Sequence, residues 1–300
     1  MTPITLKDRL QQGVFFIDGA MGTQLIEAGA PAGCCNDYLN IESPEIVAAV
    51  HQKYLDAGVD AVITNTFGTN GVVLKRHEYG DKVHEINLAA AKLARQVAGD
   101  DKYVLGDIGP CGDFLQPLGM VKPDELKATF AEQAKGLLDG GVDGFIIETM
   151  TALDEVEIAI EAVQSVSDLP VFVSLAYDPA GDAFRTMMGV SPTQAVEQLA
   201  ETGIAALGFN CGTLDMPGYI ELAREYAKAL KDTGALLLAE PNAGRPELEG
   251  DKAVYKLSPD AYAEAMEQIK DAGAAILGGC CGTTPAHLSA AVKKVHLTLK

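Results

Sequence analysis

The sequence has little of what marks several common classes of protein. It contains no tryptophan, and six cysteines in 300 residues are too few for the disulfide framework of a small secreted domain. No apolar run approaches the roughly 18–20 residues that a membrane-spanning helix needs, and the first residues lack the apolar segment of a signal peptide. Basic residues are scarce, and the net charge of −19 argues against nucleic acid or an anionic membrane as partner. We therefore expect a cytoplasmic protein whose cysteines are free or bound to metal.

What the chain does have is a regular alternation of short apolar runs and amphipathic stretches, typical of a parallel sheet with crossover helices. Eight apolar runs predict strands, at Val14–Asp18, Ala61–Asn65, Tyr103–Asp107, Gly144–Glu148, Val171–Ala176, Ala206–Asn210, Leu236–Glu240 and Ala275–Gly279. Eight stretches predict helices, at Pro44–Ala57, Asp81–Ala98, Pro123–Asp139, Ala152–Val166, Pro192–Thr202, Pro217–Asp232, Pro259–Ala272 and Pro285–Val295. No linker or shift in composition divides the chain. The pattern predicts an α/β fold, a single (β/α)8 TIM barrel that is one domain over residues 1–300.

The ends of the predicted helices carry clear signals. A hydroxyl residue precedes a proline at four predicted helix starts, and each hydroxyl is expected to cap its helix. These residues are Ser43, Ser191, Ser258 and Thr284. Similar turns with glycine past the helix end lead into the next strand at 56–60, 139–143 and 271–274, as repeated helix-to-strand connections should.

Polar or reactive residues stand where most of the predicted strands end, and in a barrel these C-terminal ends share the face where active sites lie. The residues are Asp18, Asn65, Asp107, Glu148, Asn210, Cys211, Glu240, Cys280 and Cys281. Adjacent cysteines are poor disulfide partners, but with a third thiolate they can occupy three corners of a zinc tetrahedron. Three protein ligands leave one position open, which is typical of a catalytic zinc site. The sequence thus predicts that Cys211, Cys280 and Cys281 meet at this face and bind Zn2+.

The cysteines could instead have a purely structural role. An isolated cysteine more often packs as a small buried side chain, and this reading competes with the metal site. Cys34, Cys35 and Cys111 are expected to be bystanders. Cys35 or Cys111 as a fourth ligand would instead close the site.

The carboxylates at the strand ends could likewise bind a substrate or have a structural role. Asp18 and Glu148 are attractive as anionic groups for the α-ammonium of an amino acid, whereas Asp107 and Glu240 are equally expected to be structural. The glycine-rich run at 18–23 does not match a phosphate-binding fingerprint and opens no evident helix N-terminus; its backbone amides would suit a carboxylate. All five histidines fall in or beside helical stretches, which argues against a Cys–His catalytic pair.

Seven strings, in order along the whole chain, resemble those of the zinc-dependent homocysteine S-methyltransferases. They are IDGAMGTQL (17–25), TNTFGTN (64–70), GDIGPCG (106–112), IETM (147–150), GFNCG (208–212), EPNAG (240–244) and GGCCGTTPAHL (278–288). Within that family the chain is most similar to the homocysteine-binding module of cobalamin-dependent methionine synthase. The resemblance implies zinc thiolates at Cys211, Cys280 and Cys281. It also implies homocysteine contacts, at Asp18, Gly19, Ala20 and Glu148, with Asn65 and Asn210 shaping the pocket.

The function that the resemblance implies is transfer of a methyl group to the zinc-activated thiolate of L-homocysteine, giving methionine. Since the sequence covers one barrel, we expect the folate, cobalamin and reactivation modules of the full synthase to be missing. The expected donor is therefore methylcobalamin or another methylcorrinoid carried on a separate protein.

Two alternatives stay open. The first is a small sulfonium or ammonium donor such as S-methylmethionine or betaine, which prefers an aromatic cage; candidate cage residues are Tyr38, Phe67, Phe114 and Tyr177. The betaine-using branch of the family is less similar, because this chain has no tryptophan and Gly68 stands where that branch carries an aromatic residue. The second alternative is a non-catalytic zinc-binding barrel that acts as a thiol sensor or scaffold.

Overall fold

The computed structural model describes residues 4–30, 34–250 and 252–298. Eight parallel strands form one sheet: β1 (Phe15–Phe16), β2 (Ala61–Ile63), β3 (Tyr103–Ile108), β4 (Gly144–Met150), β5 (Val171–Leu175), β6 (Ala206–Asn210), β7 (Leu236–Glu240) and β8 (Ile276–Leu277). Their order is β1-β8-β7-β6-β5-β4-β3-β2. The two end strands meet through a parallel bridge between Ile17 and Ala61. The sheet thereby closes into the (β/α)8 barrel that the sequence predicts.

Eight helices surround the sheet, each following a strand: α1 (Pro44–Ala57), α2 (Val83–Ala98), α3 (Pro123–Gly140), α4 (Leu153–Gln164), α5 (Pro192–Leu199), α6 (Met216–Ala229), α7 (Pro259–Asp271) and α8 (Pro285–Thr298). Their bounds lie within a few residues of the predicted ones. The sequence analysis missed the short elements outside the barrel. These are helical turns at Leu6–Arg9, Met21–Glu27, Asn36–Tyr38, Leu39–Glu42, Gly71–Leu74 and Lys75–His77, and two hairpins, Asp178–Ala180 with Ala183–Arg185 and Glu247–Glu249 with Lys252–Val254. Among the described residues, no helix has both the length and the apolar character needed to cross a membrane.

The predicted helix caps hold at two serines and fail at a third. Ser191 forms a complete capping box with Gln194 at the start of α5, and the Ser258 hydroxyl accepts the N–H of Ala261 at the start of α7. The side chain of Ser43 makes no capping hydrogen bond to α1. Its backbone N–H donates to Leu39 at 3.0 Å, so Ser43 also ends the preceding helical turn and its backbone is not in the usual capping conformation.

The inside of the barrel is filled by apolar side chains from all eight strands, so it is a packed core and not a pore. They include Phe15, Ile17, Leu105, Ile146, Phe172 and Leu238. Leu6 and Leu10, from the first helical turn, pack on this cluster and are 3% and 7% exposed. The N-terminal end of the barrel is therefore plugged by apolar side chains.

Two aspartates at this plugged N-terminal end each have one oxygen bound to both a backbone N–H and an arginine. Oδ2 of Asp60 accepts the N–H of Phe16 at 2.8 Å and lies 3.1 Å from Nη2 of Arg9. Oδ2 of Asp143 accepts the N–H of Val104 at 2.8 Å and forms an ion pair with Arg95. Each carboxylate thus ties a helix-to-strand turn to the neighbouring strand.

Candidate active site

Cys211 follows β6 in a turn of left-handed backbone, with φ of 53° at Cys211 and 79° at Gly212. A Cβ atom on Gly212 would lie 2.0 Å from the carbonyl oxygen of Tyr177, so the turn requires glycine there. The Tyr219 hydroxyl donates to the Cys211 carbonyl at 2.6 Å, and the Asn242 amide donates to the Gly212 carbonyl at 2.8 Å. These bonds hold a non-glycine residue in a strained conformation, a feature that clusters at functional sites.

Cys280 and Cys281 follow β8 and are fixed by the loop after β7. The N–H of Cys280 donates to the Pro241 carbonyl at 3.0 Å, and the N–H of Ala243 donates to the Cys281 carbonyl at 3.0 Å. The Thr283 hydroxyl donates to the Cys280 carbonyl at 2.7 Å. The backbone of both cysteines is therefore fixed without using their sulfur atoms.

The three sulfur atoms meet, as the sequence predicts. Sγ of Cys211, Cys280 and Cys281 all lie within 4.8 Å of one another, and Sγ of Cys211 is 3.8 Å from Sγ of Cys281. Zinc–sulfur bonds of about 2.3 Å in a tetrahedron put their sulfur atoms about 3.8 Å apart. The group therefore has the dimensions and the donor chemistry of a zinc site with three thiolate ligands.

The three thiols influence one another's pKa. Hydrogen bonds from the Cys211 and Cys280 thiols lower the pKa of Cys281 to about 3. Donating such bonds to Cys211 and Cys281 raises the pKa of Cys280 well above its usual value. A soft divalent cation, which takes thiolate ligands, would displace the protons that remain on these sulfur atoms.

The other cysteines stay outside this group. Among the described residues, only Cys211, Cys280 and Cys281 form a cluster of three or more potential metal-binding side chains. Cys111 is buried, and its thiol donates to the Asp113 carbonyl at 3.0 Å. Cys34 and Cys35 are free thiols in the loop after β1. No fourth cysteine therefore closes the site in the part of the chain that the structure describes.

Five carboxylates line the same cavity as the three sulfur atoms: Asp18, Asp37, Asp107, Glu148 and Glu240. Asp37 already accepts the Gly68 N–H at 3.0 Å. Burial raises the pKa of Asp18, Asp107 and Glu240 well above their usual values, and it raises the pKa of Glu148 to about 7. No Lys, Arg or His is among the described residues that line the cavity. A positively charged ligand would therefore not compete with a basic side chain for these carboxylates.

Glu148 is oriented by a local irregularity and by Asn210. The pairing of β4 with β5 shifts register between Ile147 and Met150, and Thr149 has a φ of 60°. The Asn210 amide donates to Oε2 of Glu148 at 2.5 Å and contacts Sγ of Cys280 at 3.6 Å, while its oxygen accepts the Thr149 N–H. Asn210 thus connects the carboxylates to the thiols, and its own polar atoms are occupied.

The loop after β1 differs from its predicted form. A helix begins at Met21 directly after Ala20, so the expectation that this glycine-rich run opens no helix is wrong. The Ala20 N–H donates to the Thr283 hydroxyl at 3.0 Å, and a Cβ atom on Gly19 would lie 2.5 Å from that hydroxyl. Asn65, which also lines the cavity, donates its amide to the Asn36 carbonyl at 2.8 Å.

The cavity has a volume of about 460 Å³, within the usual range for small-molecule sites. Of the four predicted cage residues, only Phe67 lines it. Tyr177 is buried with its hydroxyl 2.7 Å from that of Tyr226, and Tyr38 stacks on Tyr79 at 4.1 Å between ring centroids. The aromatic side chains therefore do not surround the cavity as a cage.

Exposed apolar side chains lie on the loops that follow the strands, at the same end of the barrel as the cavity, and we call this set the apolar collar. It consists of Ile26, Phe67, Phe114, Leu118, Met120, Met187, Met188 and Leu248. Phe114, Leu118, Met187 and Met188 line a second cavity of about 300 Å³. Of the exposed large apolar residues in the described chain, only Ile4 and Leu297 lie elsewhere. Exposed apolar surface concentrated on one face is typical of an interaction site.

Sequence reasoning missed one residue beside the thiols. Tyr255, on the loop after β7, lies close enough to Cys281 for the two side chains to shift each other's pKa. Its ring covers Gly282, where a Cβ atom would lie 2.2 Å from Cγ of the tyrosine. Only the glycine that follows the cysteine pair hints at this close contact.

Comparisons with known proteins agree with this geometry. The homocysteine S-methyltransferase family model matches residues 15–295. The chain belongs to the homocysteine S-methyltransferase family. It is accordingly an enzyme of the methyltransferase class.

More particular relatives are the methionine synthases of Mycobacterium leprae (strain TN) and Mycobacterium tuberculosis (strain ATCC 25618 / H37Rv). Each is 33% identical over 301 residues, covering 94% of this chain but only 24% and 25% of their own length. The chain thus spans about a quarter of these relatives. The metallated form of the homocysteine methyltransferase MmuM from Escherichia coli superposes with a TM-score of 0.76 at 22% identity, over 95% of this chain and 97% of that chain. A likeness at this identity supports the fold.

Proposed function

We propose that this protein transfers a methyl group to the sulfur of L-homocysteine, giving methionine. The observation that carries the proposal is that Cys211, Cys280 and Cys281 meet within 4.8 Å in a cavity lined by carboxylates. The sulfur cluster suits a metal that takes a thiol, and the carboxylates suit the ammonium group of an amino acid. Family membership supports both halves of this reading.

The three cysteines would hold a zinc ion through their thiolates, leaving a fourth position for the substrate. Bound there, zinc would keep the homocysteine sulfur ionised and nucleophilic at neutral pH, where a free thiol is only a few per cent thiolate. The hydrogen bond from Asn210 to Cys280 would orient one of the ligands, and Tyr255 lies beside Cys281. Such supporting contacts commonly tune a metal site.

The carboxylates and the loop after β1 would orient the amino acid. Asp18 and Glu148 face the α-ammonium, and backbone amides around Gly19–Met21 face the carboxylate. The Ala20 amide already donates to Thr283, which leaves the amides of Gly19 and Met21 for the substrate. Fixing the thiol beside the methyl donor in this way can lower the barrier by several kcal/mol, because orientational freedom is lost before the reaction.

The donor we propose is a methylcorrinoid carried on a separate protein. The mouth of the cavity has no aromatic cage, and the apolar collar offers a contact surface for a bulky partner. The similarity to methionine synthases supports a corrinoid donor of this kind. A small sulfonium or ammonium donor is the second candidate, since Phe67 does line the cavity.

The test of the metal site is zinc-edge X-ray absorption on purified protein, with and without L-homocysteine. We expect three sulfur neighbours and one lighter atom alone, and four sulfur neighbours with homocysteine. Four sulfurs from the start, unchanged by homocysteine, would identify a closed structural site and support the non-catalytic sensor or scaffold.

The test of the donor compares free methylcobalamin, S-methylmethionine and betaine, each with homocysteine and zinc-loaded protein. Homocysteine-dependent demethylation of methylcobalamin, followed by its absorption spectrum, would support the corrinoid donor. Methionine formed only from S-methylmethionine or betaine would replace it with the second candidate.

A further inference from the structure

Three buried carboxylate oxygens in the cavity have no hydrogen-bond partner. They are Oδ1 of Asp18, Oδ1 of Asp107 and Oε2 of Glu240. The three residues are 1%, 4% and 2% exposed, and all three line the cavity that the three sulfur atoms line. Burying an acceptor without a donor costs free energy, so each oxygen calls for an explanation.

A purely structural role does not account for them. The structural aspartates of this barrel, Asp60 and Asp143, each accept a backbone N–H and pair with an arginine. Asp18 uses only its other oxygen in this way, accepting the Ile63 N–H at 3.0 Å. Glu240 has neither an amide nor a base beside its carboxylate in the described chain.

The missing partner must be a small cation with several hydrogen-bond donors. Asp107 and Glu240 both feel the negative charge of Glu148, and Glu240 also feels that of Asp18. The carboxylates therefore converge on one region. A primary ammonium group carries three N–H donors and one positive charge, which matches three acceptor oxygens in a cavity without a basic side chain.

Glu148 can take part only through one oxygen. Its Oε2 already accepts the Asn210 amide and the Thr149 hydroxyl, which leaves Oε1 for a ligand. Further free acceptors come from the ends of β1, β3 and β7, on Asp18, Asp107 and Glu240.

We propose that Asp107 and Glu240, together with Asp18, bind the α-ammonium group of the thiol substrate and so determine its specificity. This inference rests on the proposed function and extends its substrate site by two residues. It predicts discrimination against thiols that lack an amino group, because such a thiol would leave the three oxygens unpartnered. A site built to hydrogen-bond a polar group rejects the analogue without it strongly.

Calorimetric titration of the zinc-loaded protein with L-homocysteine and with 4-mercaptobutanoate, the same molecule without its amino group, tests the proposal. The variants are Asp107→Asn and Glu240→Gln, which keep the side-chain shape. Glu155→Gln is the matched control, because Glu155 is also buried but its carboxylate accepts the Cys111 N–H at 2.7 Å outside the cavity.

We expect each site variant to weaken homocysteine binding roughly 10- to 100-fold, the factor that a hydrogen bond to a charged group represents. Binding of 4-mercaptobutanoate and zinc content should be unchanged, and the control should match the wild type for both thiols. The ratio of the two affinities is insensitive to general damage, so a partly misfolded variant would lower both.

Equal losses for both thiols, or no loss for either, would overturn the assignment of Asp107 and Glu240. Tight binding of Mg2+ or K+ that competes with homocysteine in the wild type, and is lost in both variants, would assign these oxygens to a metal ion instead. If the wild-type protein takes up zinc but binds neither thiol, the proposed function itself fails.

Discussion

Carboxylates at the two ends of this barrel differ in whether they have hydrogen-bond and ion-pair partners. At the N-terminal end, Asp60 and Asp143 each hold a backbone N–H and an arginine. At the C-terminal end, Asp107 and Glu240 are buried with unpartnered oxygens and no base beside them. The same residue types therefore stabilise the barrel at one end and oppose folding at the other.

The difference separates residues that maintain the fold from residues held ready for a ligand. Buried and unpaired acidic groups persist in a fold only where they serve function. In barrels of this type, the C-terminal end carries the chemistry and the N-terminal end carries stability. Substitutions at the two ends should accordingly change different measured quantities.

The largest effect is expected from the thiols. Cys211→Ala, Cys280→Ala and Cys281→Ala should each weaken zinc binding by more than about 100-fold, beyond what loss of a merely supporting contact costs, while the circular dichroism spectrum stays that of a folded barrel. Cys34→Ala is the control and should bind zinc at wild-type stoichiometry. A cysteine whose replacement leaves full zinc content is not a ligand.

The next effect concerns pH. Burial raises the pKa of Glu148 from 4.5 to about 7, so the folded protein keeps a proton there that the unfolded chain releases. This group costs no stability below its unfolded pKa, and its cost grows as pH rises towards 7, reaching about 3 kcal/mol at about 1.4 kcal/mol per pKa unit. Glu148→Gln should remove the part of the pH dependence that Glu148 causes. The measurement is the free energy of unfolding in urea at about pH 5 and about pH 8, compared between wild type and variant. A wild-type slope retained in the variant would assign it to other groups.

At the N-terminal end, Asp143→Ala should lower the free energy of unfolding by about 2 kcal/mol, because the Val104 N–H loses its charged acceptor. Zinc content and homocysteine affinity should not change, since Asp143 lies at the opposite end from the cavity. A loss of homocysteine binding without a loss of stability would contradict the division of roles between the two ends.

The smallest effect is expected at Glu240. Glu240→Gln should raise the free energy of unfolding by about 1 kcal/mol at neutral pH, because it removes a buried carboxylate without a partner. A destabilised variant would mean that Glu240 has a structural partner after all. Together with Asp143→Ala, this variant tests whether removing a carboxylate stabilises the protein at the C-terminal end of the barrel and destabilises it at the N-terminal end.

The strands, their order and the meeting of the thiols could be predicted because the apolar runs end sharply in polar residues, and parallel strands bring those ends together. The helix at Met21–Glu27 could not, because Ala20 offers no capping side chain and Gly22 weakens the helical pattern. The hairpin strand Glu247–Glu249 is exposed along its length, so it lacks the alternation that marks a strand.

The carboxylates show a different limit. Sequence position places Asp107 and Glu240 at strand ends, but the same position suits a capping, a structural or a binding role. Only the surroundings distinguish them, because a missing hydrogen-bond partner is a property of the packed structure. The sequence analysis left their role open for this reason.

The metal site can form only late in folding, because its ligands lie far apart in the chain. The hydrogen bond from the Ala20 N–H to the Thr283 hydroxyl, 3.0 Å long, joins the loops after the first and last strands. A growing chain therefore exposes Cys211 well before Cys280 and Cys281 are synthesised, and the three thiols can meet only once the ends of the barrel have come together. We expect metal uptake to follow this late closure during biogenesis and then to oppose reopening of the seam between β1 and β8.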